Sequence, residues 1–187
     1  MSNYAKILPF DIANAPGISV TVFLSGCDAE PKCKGCFNSI AWDKNYGTEI
    51  DNNFYEKVIN MLKNEHIKNL VLLGGDSMAE WNLEATCKLI ELAKYEHKNI
   101  WLYTWRPFED ICKYKSINLK KGMKLFDEGN KIPYFYNTIL YNTDVIVDGR
   151  FVEEKKDLTL KWKGSSNQRV IDVKKSLSQN KVVLFED

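Results

Sequence analysis

Five segments of the chain have the hydrophobic pattern of β-strands. Residues 18–25 alternate β-branched and apolar positions, which is typical of a strand. Residues 69–73 are a short apolar run, as in a strand buried on both faces of a parallel sheet. Residues 99–104 and 144–147 predict two further strands, and 181–185 predict a late one.

Segments in which apolar residues recur at helical spacing lie between these strands. A helix is expected from a cap at Asp51 to about residue 63, a second over 81–97, and a third starting at 107–114. Residues 116–142 fit either a helix with a connection or an insertion on the surface. The alternation of strand and helix predicts an α/β fold with a mostly parallel sheet.

The carboxyl ends of the predicted strands carry the residues of most chemical interest. Right-handed crossovers would bring these ends to one side of the sheet, where ligands bind in such folds. The ends hold Cys27, Gly74-Gly75-Asp76, Thr104 and Asp148. We therefore expect a single site along this edge.

Composition and charge narrow the class of protein. The 187 residues are enough for a single domain, taken as 1–187. The net charge of +1 argues against binding nucleic acid through bulk electrostatics. No apolar run reaches the roughly 18 residues of a membrane span, and the first ten residues lack a signal-peptide layout. A soluble, cytoplasmic protein that does not bind membranes is expected.

Three of the five cysteines, Cys27, Cys33 and Cys36, lie in one polar loop directly after the first predicted strand. Three thiolates on one loop can hold three corners of a four-iron cluster and leave one iron open to an outside ligand. Three other interpretations remain: free thiols by chance, a zinc site completed by a histidine, and a disulfide with one free thiol. Cys87 and Cys112 are expected to behave as small buried hydrophobes.

Four short segments, rather than the cysteines alone, carry a resemblance to a known family. They are the cysteine loop from Phe23 to Asn38, Gly74-Gly75-Asp76, Val147-Asp148-Gly149-Arg150-Phe151, and Lys163-Gly164-Ser165-Ser166-Asn167-Gln168-Arg169. In this order they resemble radical S-adenosylmethionine enzymes, and within them the activators of the anaerobic ribonucleoside-triphosphate reductase. The resemblance covers about residues 17–172, with 116–142 as a possible insertion, and implies a partial, open β/α barrel.

The sequence departs from the family pattern in three places. The family spacing is Cys-x3-Cys-x2-Cys, whereas five residues separate Cys27 from Cys33 here, so a bulge is expected with cluster binding retained. Ser77-Met78 stands where the family commonly has Pro-Leu, and the stretch 116–142 is long for the family.

The resemblance implies two cofactors and a protein partner. In the family, a [4Fe-4S] cluster binds S-adenosylmethionine at its open iron and cleaves it reductively. The 5′-deoxyadenosyl radical so formed takes a hydrogen atom from one glycine of the reductase. The implied partners are the large chain of the anaerobic reductase and an electron donor such as flavodoxin or ferredoxin.

The resemblance also implies a role for each matching residue. Cys27, Cys33 and Cys36 would be the cluster ligands. Phe37 and the backbone around Gly35 and Cys36 would contact the adenine. Gly74 and Gly75 would face the methionine part, with Asp76 near its ammonium, and Thr104 and Asp148 would reach the ribose or the methionine.

Simpler structural roles and other functions remain open at this point. Phe37 could be core packing, and both Gly74-Gly75-Asp76 and Asp148-Gly149 could be ordinary turns. The segment 164–168 fits partner docking or loop ordering equally well. The alternative functions are a radical enzyme acting on a small molecule or on another glycyl radical enzyme, and a metal-binding module without catalysis.

Overall fold

The computed structural model describes residues 2–116 and 131–186. The strands are β1 (Asn3–Asp11), β2 (Ile18–Leu24), β3 (Thr48–Glu49), β4 (Ile67–Gly74), β5 (Asn99–Tyr103), β6 (Val145–Asp148) and β7 (Arg169–Asp172). The α-helices are α1 (Asn52–Leu62), α2 (Leu83–Tyr95), α3 (Phe108–Cys112), α4 (Ile132–Asn142) and α5 (Val173–Gln179). Short 3-10 helices lie at Ser39–Trp42, Glu80–Asn82, Lys113–Ser116 and Glu153–Lys155.

The strands form one mixed sheet in the order β3-β1-β2-β4-β5-β6-β7. Its four central strands, β2, β4, β5 and β6, are parallel to one another. The outer strands β1, β3 and β7 pair antiparallel. The described strands thus form an open α/β sheet, and the predicted α/β class with a parallel core is confirmed.

The central strand β4 shows why the sheet is covered on both faces. Successive side chains of a strand point to opposite faces. Leu70 and Leu72 pack into the larger core beneath the helices, whereas Val71 and Leu73 pack into a second core around Trp101. All four side chains are buried, which explains the uninterrupted apolar run.

Helix α1 begins and packs as its sequence predicts. The Asp51 carboxylate accepts a hydrogen bond from the N–H of Phe54 at 2.8 Å, which satisfies a free donor of the first turn. Phe54, Val58 and Leu62 recur every four residues and are all buried. The helix therefore turns one apolar stripe toward the sheet.

The predicted late strand at 181–185 is wrong. Within the described residues this segment forms a single isolated bridge, between Leu184 and Ile171. The hydroxyl of Ser176 accepts the N–H of Val183 at 2.9 Å, so that backbone donor is not available to a ladder. The strands β1, β3 and β7 were not predicted.

The uncertain stretch 116–142 ends in helix α4, with residues 117–130 outside the described part. Pro133 lies in the first turn of α4, where its missing N–H has no partner to lose. In the two described ranges, no helix combines the length and the apolar character needed to cross a lipid bilayer.

Candidate active site

A pocket of about 470 Å³ lies at the carboxyl edge of the parallel strands. Each of the four parallel strands contributes to its wall, either with its last residues or with those that follow. The predicted site residues on the wall are Cys27, Cys33, Cys36, Phe37, Gly74, Gly75 and Thr104. The topology therefore brings most of the candidate residues to one cavity.

The cysteine loop is anchored to the fold at its first cysteine. The N–H groups of Gly26 and Cys27 donate to the carbonyl oxygens of Ala41 and Trp42, at 2.8 and 3.1 Å. A turn closes the other end, where the N–H of Cys36 donates to the carbonyl of Cys33 at 3.2 Å. All three thiols are free of disulfides, which removes the disulfide interpretation.

The donor set of this loop fits an iron–sulfur cluster. Among residues 2–116 and 131–186, no three His, Cys, Asp or Glu side chains are placed to hold one metal ion. A mononuclear zinc site needs its ligands to meet at one point, whereas a four-iron cluster is held at separate irons. Three thiols spread around one pocket therefore suit a cluster better than zinc.

Burial raises the pKa of the Cys27 thiol to about 11. A hydrogen bond from the Ala29 backbone and the charge of Lys32 partly oppose this shift. The Cys27 thiol is thus protonated at neutral pH in the protein alone. Binding as a thiolate would release that proton, because metal ligation and proton loss are coupled.

The Gly-Gly turn after β4 packs directly against the start of the cysteine loop. Gly74 has φ +119°, a conformation that favours glycine. A Cβ on Gly75 would lie 2.3 Å from the carbonyl oxygen of Gly26. The N–H groups of Gly75 and Asp76 donate to the carbonyls of Leu24 and Gly26, both at 2.8 Å. The two glycines thus let two strand ends approach, whatever else they contact.

Asp76 lies behind the described lining of the pocket rather than on it. Its carboxylate forms an ion pair with Arg106 and accepts the N–H of Met78 at 3.0 Å. The side chain is fully buried, and burial raises its pKa to about 6, although Arg106 opposes the shift. Asp76 therefore joins its turn to the residues after β5.

The other two strand-end residues differ in position. Thr104 lines the pocket, and its hydroxyl accepts the N–H of Arg106 at 3.2 Å. Asp148 lies behind the described lining, 1% exposed, and accepts from the N–H of Phe108 at 2.8 Å and from Arg169 at 3.0 Å. Asp148 thus fixes helix α3 and strand β7 beneath the site.

The segments 147–151 and 163–169 pack onto the cysteine loop through Phe37. A Cβ on Gly164 would lie 2.6 Å from the Phe37 ring, so the glycine makes room for that ring. Phe37 also makes an edge contact with Phe151, with ring centroids 5.1 Å apart, and stays 55% exposed. Gln168 accepts the N–H of Gly164 at 3.0 Å and donates to the Gly149 carbonyl at 3.0 Å. These contacts favour loop ordering for the segment 164–168.

Comparison with known proteins identifies the family. Residues 13–171 match the family described as "4Fe-4S single cluster domain". The chain is 35% identical over 172 residues to the anaerobic ribonucleoside-triphosphate reductase-activating protein of Vibrio cholerae, covering 89% of this chain and 95% of that protein. The chain belongs to the family of anaerobic ribonucleoside-triphosphate reductase-activating proteins.

Two further members of this activating-protein family show the same extent of similarity. The protein of that name from Escherichia coli K12 is 35% identical, covering 90% of this chain and 97% of its own length. That of Enterobacteria phage T4 is 33% identical, covering 90% and 92%. The match therefore extends over nearly the whole of each protein, and the resemblance to this family is confirmed.

Among the residues at the candidate site of this activating-protein fold that sequence reasoning missed are Trp105 and Arg106. Trp105 lines the pocket, and Arg106 lies beside it with its side chain 14% exposed. The available signal was their position, directly after Thr104 at the end of β5. Gly35, predicted to face the adenine, has φ +70° and lies against Glu153, outside the described lining.

Proposed function

We propose that this protein activates an anaerobic ribonucleotide reductase by generating a radical on one glycine of its large chain. The observation that carries the proposal is the joint placement of three free thiols and the Gly-Gly turn around one pocket, in a chain of the activating-protein family. Cys27, Cys33 and Cys36 are the proposed ligands of a [4Fe-4S] cluster. When bound and reduced, the cluster supplies the electron that cleaves S-adenosylmethionine into methionine and a 5′-deoxyadenosyl radical.

The protein's own residues bind and orient S-adenosylmethionine. The backbone of Gly74 and Gly75 offers a close approach for the methionine part, and Thr104 lines the same wall. Phe37 offers a half-exposed ring for the adenine, next to the third cysteine. We propose that Asp76, behind the pocket wall, contributes negative charge near the ammonium group, and that Asp148 supports the ribose side from beneath.

The substrate glycine is proposed to enter from solvent. Phe37 and Leu158 both line the pocket, yet 55% and 79% of their surface is exposed. Exposed apolar side chains beside a reactive site favour contact with a protein loop, whose entry would also exclude water from the radical. Glycine suits this chemistry because its Cα carries no side chain.

The same proposal covers the fold type, the compartment and the electron supply. We take residues 1–187 as one radical S-adenosylmethionine domain whose open sheet is a partial β/α barrel. Free thiols that can bind a cluster persist in a reducing compartment, so we propose that the protein is located in the cytoplasm. A flavodoxin or ferredoxin is the proposed electron donor.

The test combines the reduced, cluster-loaded protein with S-adenosylmethionine and the reductase chain under anaerobic conditions. Methionine and 5′-deoxyadenosine should form, and a doublet glycyl radical signal should appear on the reductase in electron paramagnetic resonance. A variant lacking all three loop cysteines is the control and should give neither. Cleavage without any protein radical would instead favour a small-molecule substrate.

A further inference from the structure

The five residues that separate Cys27 from Cys33 are held by side chains from outside the loop. Trp105 donates its indole N–H to one carboxylate oxygen of Asp28 at 2.9 Å. Arg106 donates to the other carboxylate oxygen of the same residue. Both oxygens of Asp28 are thus bound by residues that directly follow Thr104 at the end of β5.

Arg150 binds the far half of the same segment. Its guanidinium donates to the carbonyl oxygen of Glu30 at 3.2 Å and to that of Pro31. The guanidinium carbons of Arg106 and Arg150 lie 4.8 and 5.6 Å from the centroid of the Trp105 ring. Both distances are within the range of cation–π attraction, so the three side chains stabilise one another.

Arg106 connects this assembly to the Gly-Gly turn. Besides Asp28, it forms an ion pair with Asp76, whose side chain is fully buried. Removing one partner of a buried ion pair leaves the other charge unpaired, which is strongly unfavourable. The position of Asp28, next to the first cysteine, is therefore coupled to the end of β4.

We propose that Trp105, Arg106 and Arg150 form a clasp that holds the loop so that Cys27 and Cys33 stay at the pocket before a cluster binds. The clasp residues are positioning residues, and each of their contacts is made with protein groups. A loop fixed in advance loses less conformational entropy when a ligand binds, so cluster assembly should be faster. The inference rests on the proposed function only for the identity of the group that the cysteines bind.

Limited trypsin digestion of the full-length, iron-free protein tests the clasp directly. Lys32 and Lys34 place two scissile bonds inside the loop. The double variant Trp105→Phe with Arg150→Met removes the indole bond and both carbonyl contacts, and it keeps the buried pair of Arg106 with Asp76. Cleavage in the loop should become about tenfold faster, because native-state proteolysis follows the population of the open form.

A matched control removes an ion pair elsewhere. Lys94→Met breaks the 2.5 Å contact between α2 and Asp144, the residue before β6. Its loop should be cleaved at the wild-type rate even if its melting temperature falls. Should the double variant not fold, Arg150→Met alone applies the same test to the contacts of Glu30 and Pro31.

A second readout separates positioning from simple support of the fold. During reconstitution with iron and sulfide, the iron–sulfur absorption should develop about tenfold more slowly in the double variant, while the final iron content stays that of the wild type. If trypsin cleaved the loop of the double variant at the wild-type rate, the clasp would be overturned. If the loop were cleaved faster but the cluster assembled at the wild-type rate, the positioning role of the clasp would be overturned. Failure of the proposed function would show separately, as wild-type, cluster-loaded protein that does not cleave S-adenosylmethionine.

Discussion

A single methyl group at Gly75 should destabilise the protein more than the same group at most other glycines. A Cβ there would lie 2.3 Å from the Gly26 carbonyl oxygen and 2.6 Å from that of Ala41. Both neighbours are backbone, so neither can rotate away. The ends of β2 and β4 must separate, which strains the 2.8 Å bonds from Asp76 N–H to Gly26 and from Gly26 N–H to Ala41.

The cost of Gly75→Ala follows from these contacts. Overpacking costs about 1–3 kcal/mol, and two weakened hydrogen bonds add about 1 kcal/mol each. The sum of about 3–5 kcal/mol should lower the urea midpoint of the iron-free protein by roughly 2 M, for an m-value near 2 kcal/mol/M. Loss of folding stability should therefore accompany any loss of cofactor binding.

Gly149→Ala is the matched control for this experiment. Unlike Gly75, Gly149 has a positive φ, of +96°, and its Cβ would meet nothing closer than 3.8 Å. Only backbone strain of about 1–2 kcal/mol is expected there. Equal urea midpoints for the two variants would refute the argument from close approach.

Three further outcomes are expected. Replacing any one of the three loop cysteines with Ala should abolish S-adenosylmethionine cleavage and lower the iron content below about four per chain. The control Cys87→Ser should reduce stability at most. Full activity in one loop variant would contradict the ligand assignment. Because the folded-state pKa of Asp76 is raised to about 6, the native state binds the extra proton, so unfolding free energy should fall by about 3 kcal/mol as pH rises from about 4 to 6. Asp76→Asn should remove this slope in pH-dependent urea titrations, and a slope that persists would assign it to another group. Leu158→Asp should lower reductase activation about tenfold, while cleavage of S-adenosylmethionine in the absence of the reductase is retained. Leu184→Asp, at an exposed leucine outside this pocket, should leave both activities unchanged. Equal effects of the two substitutions would argue against docking of the reductase at the pocket.

The parallel core of the fold was predictable because its signals are local. The apolar run of β4 and the Asp51 cap of α1 each depend on a few neighbouring residues. The outer strands carry weaker signals: β1 contains Pro9 and many half-exposed positions, so its alternation is irregular. The apolar segment 181–185 misleads because the decisive contact, with the Ser176 hydroxyl, comes from helix α5.

The candidate site likewise combines features that the local sequence predicts with features that depend on tertiary structure. The cysteine spacing and the Gly-Gly turn are contiguous motifs, and the strand order that brings them together follows from handedness. The partner of an acidic side chain, however, depends on tertiary structure. Asp148 has the strand-end position of a ligand-binding residue, yet the antiparallel register of β6 and β7 sets it opposite Arg169. Arg106 was missed for the same reason, since its partner Asp28 is distant in sequence.

Deuterium transfer tests most directly whether the substrate is a glycine in a protein. The reductase large chain would be prepared with glycine deuterated at the α-carbon and mixed with reduced, cluster-loaded protein and S-adenosylmethionine. The proposed reaction predicts deuterium in the 5′-deoxyadenosine by mass spectrometry, together with a glycyl radical signal on the reductase. Unlabelled 5′-deoxyadenosine, formed at the same rate with and without the reductase and with no radical on it, would contradict it.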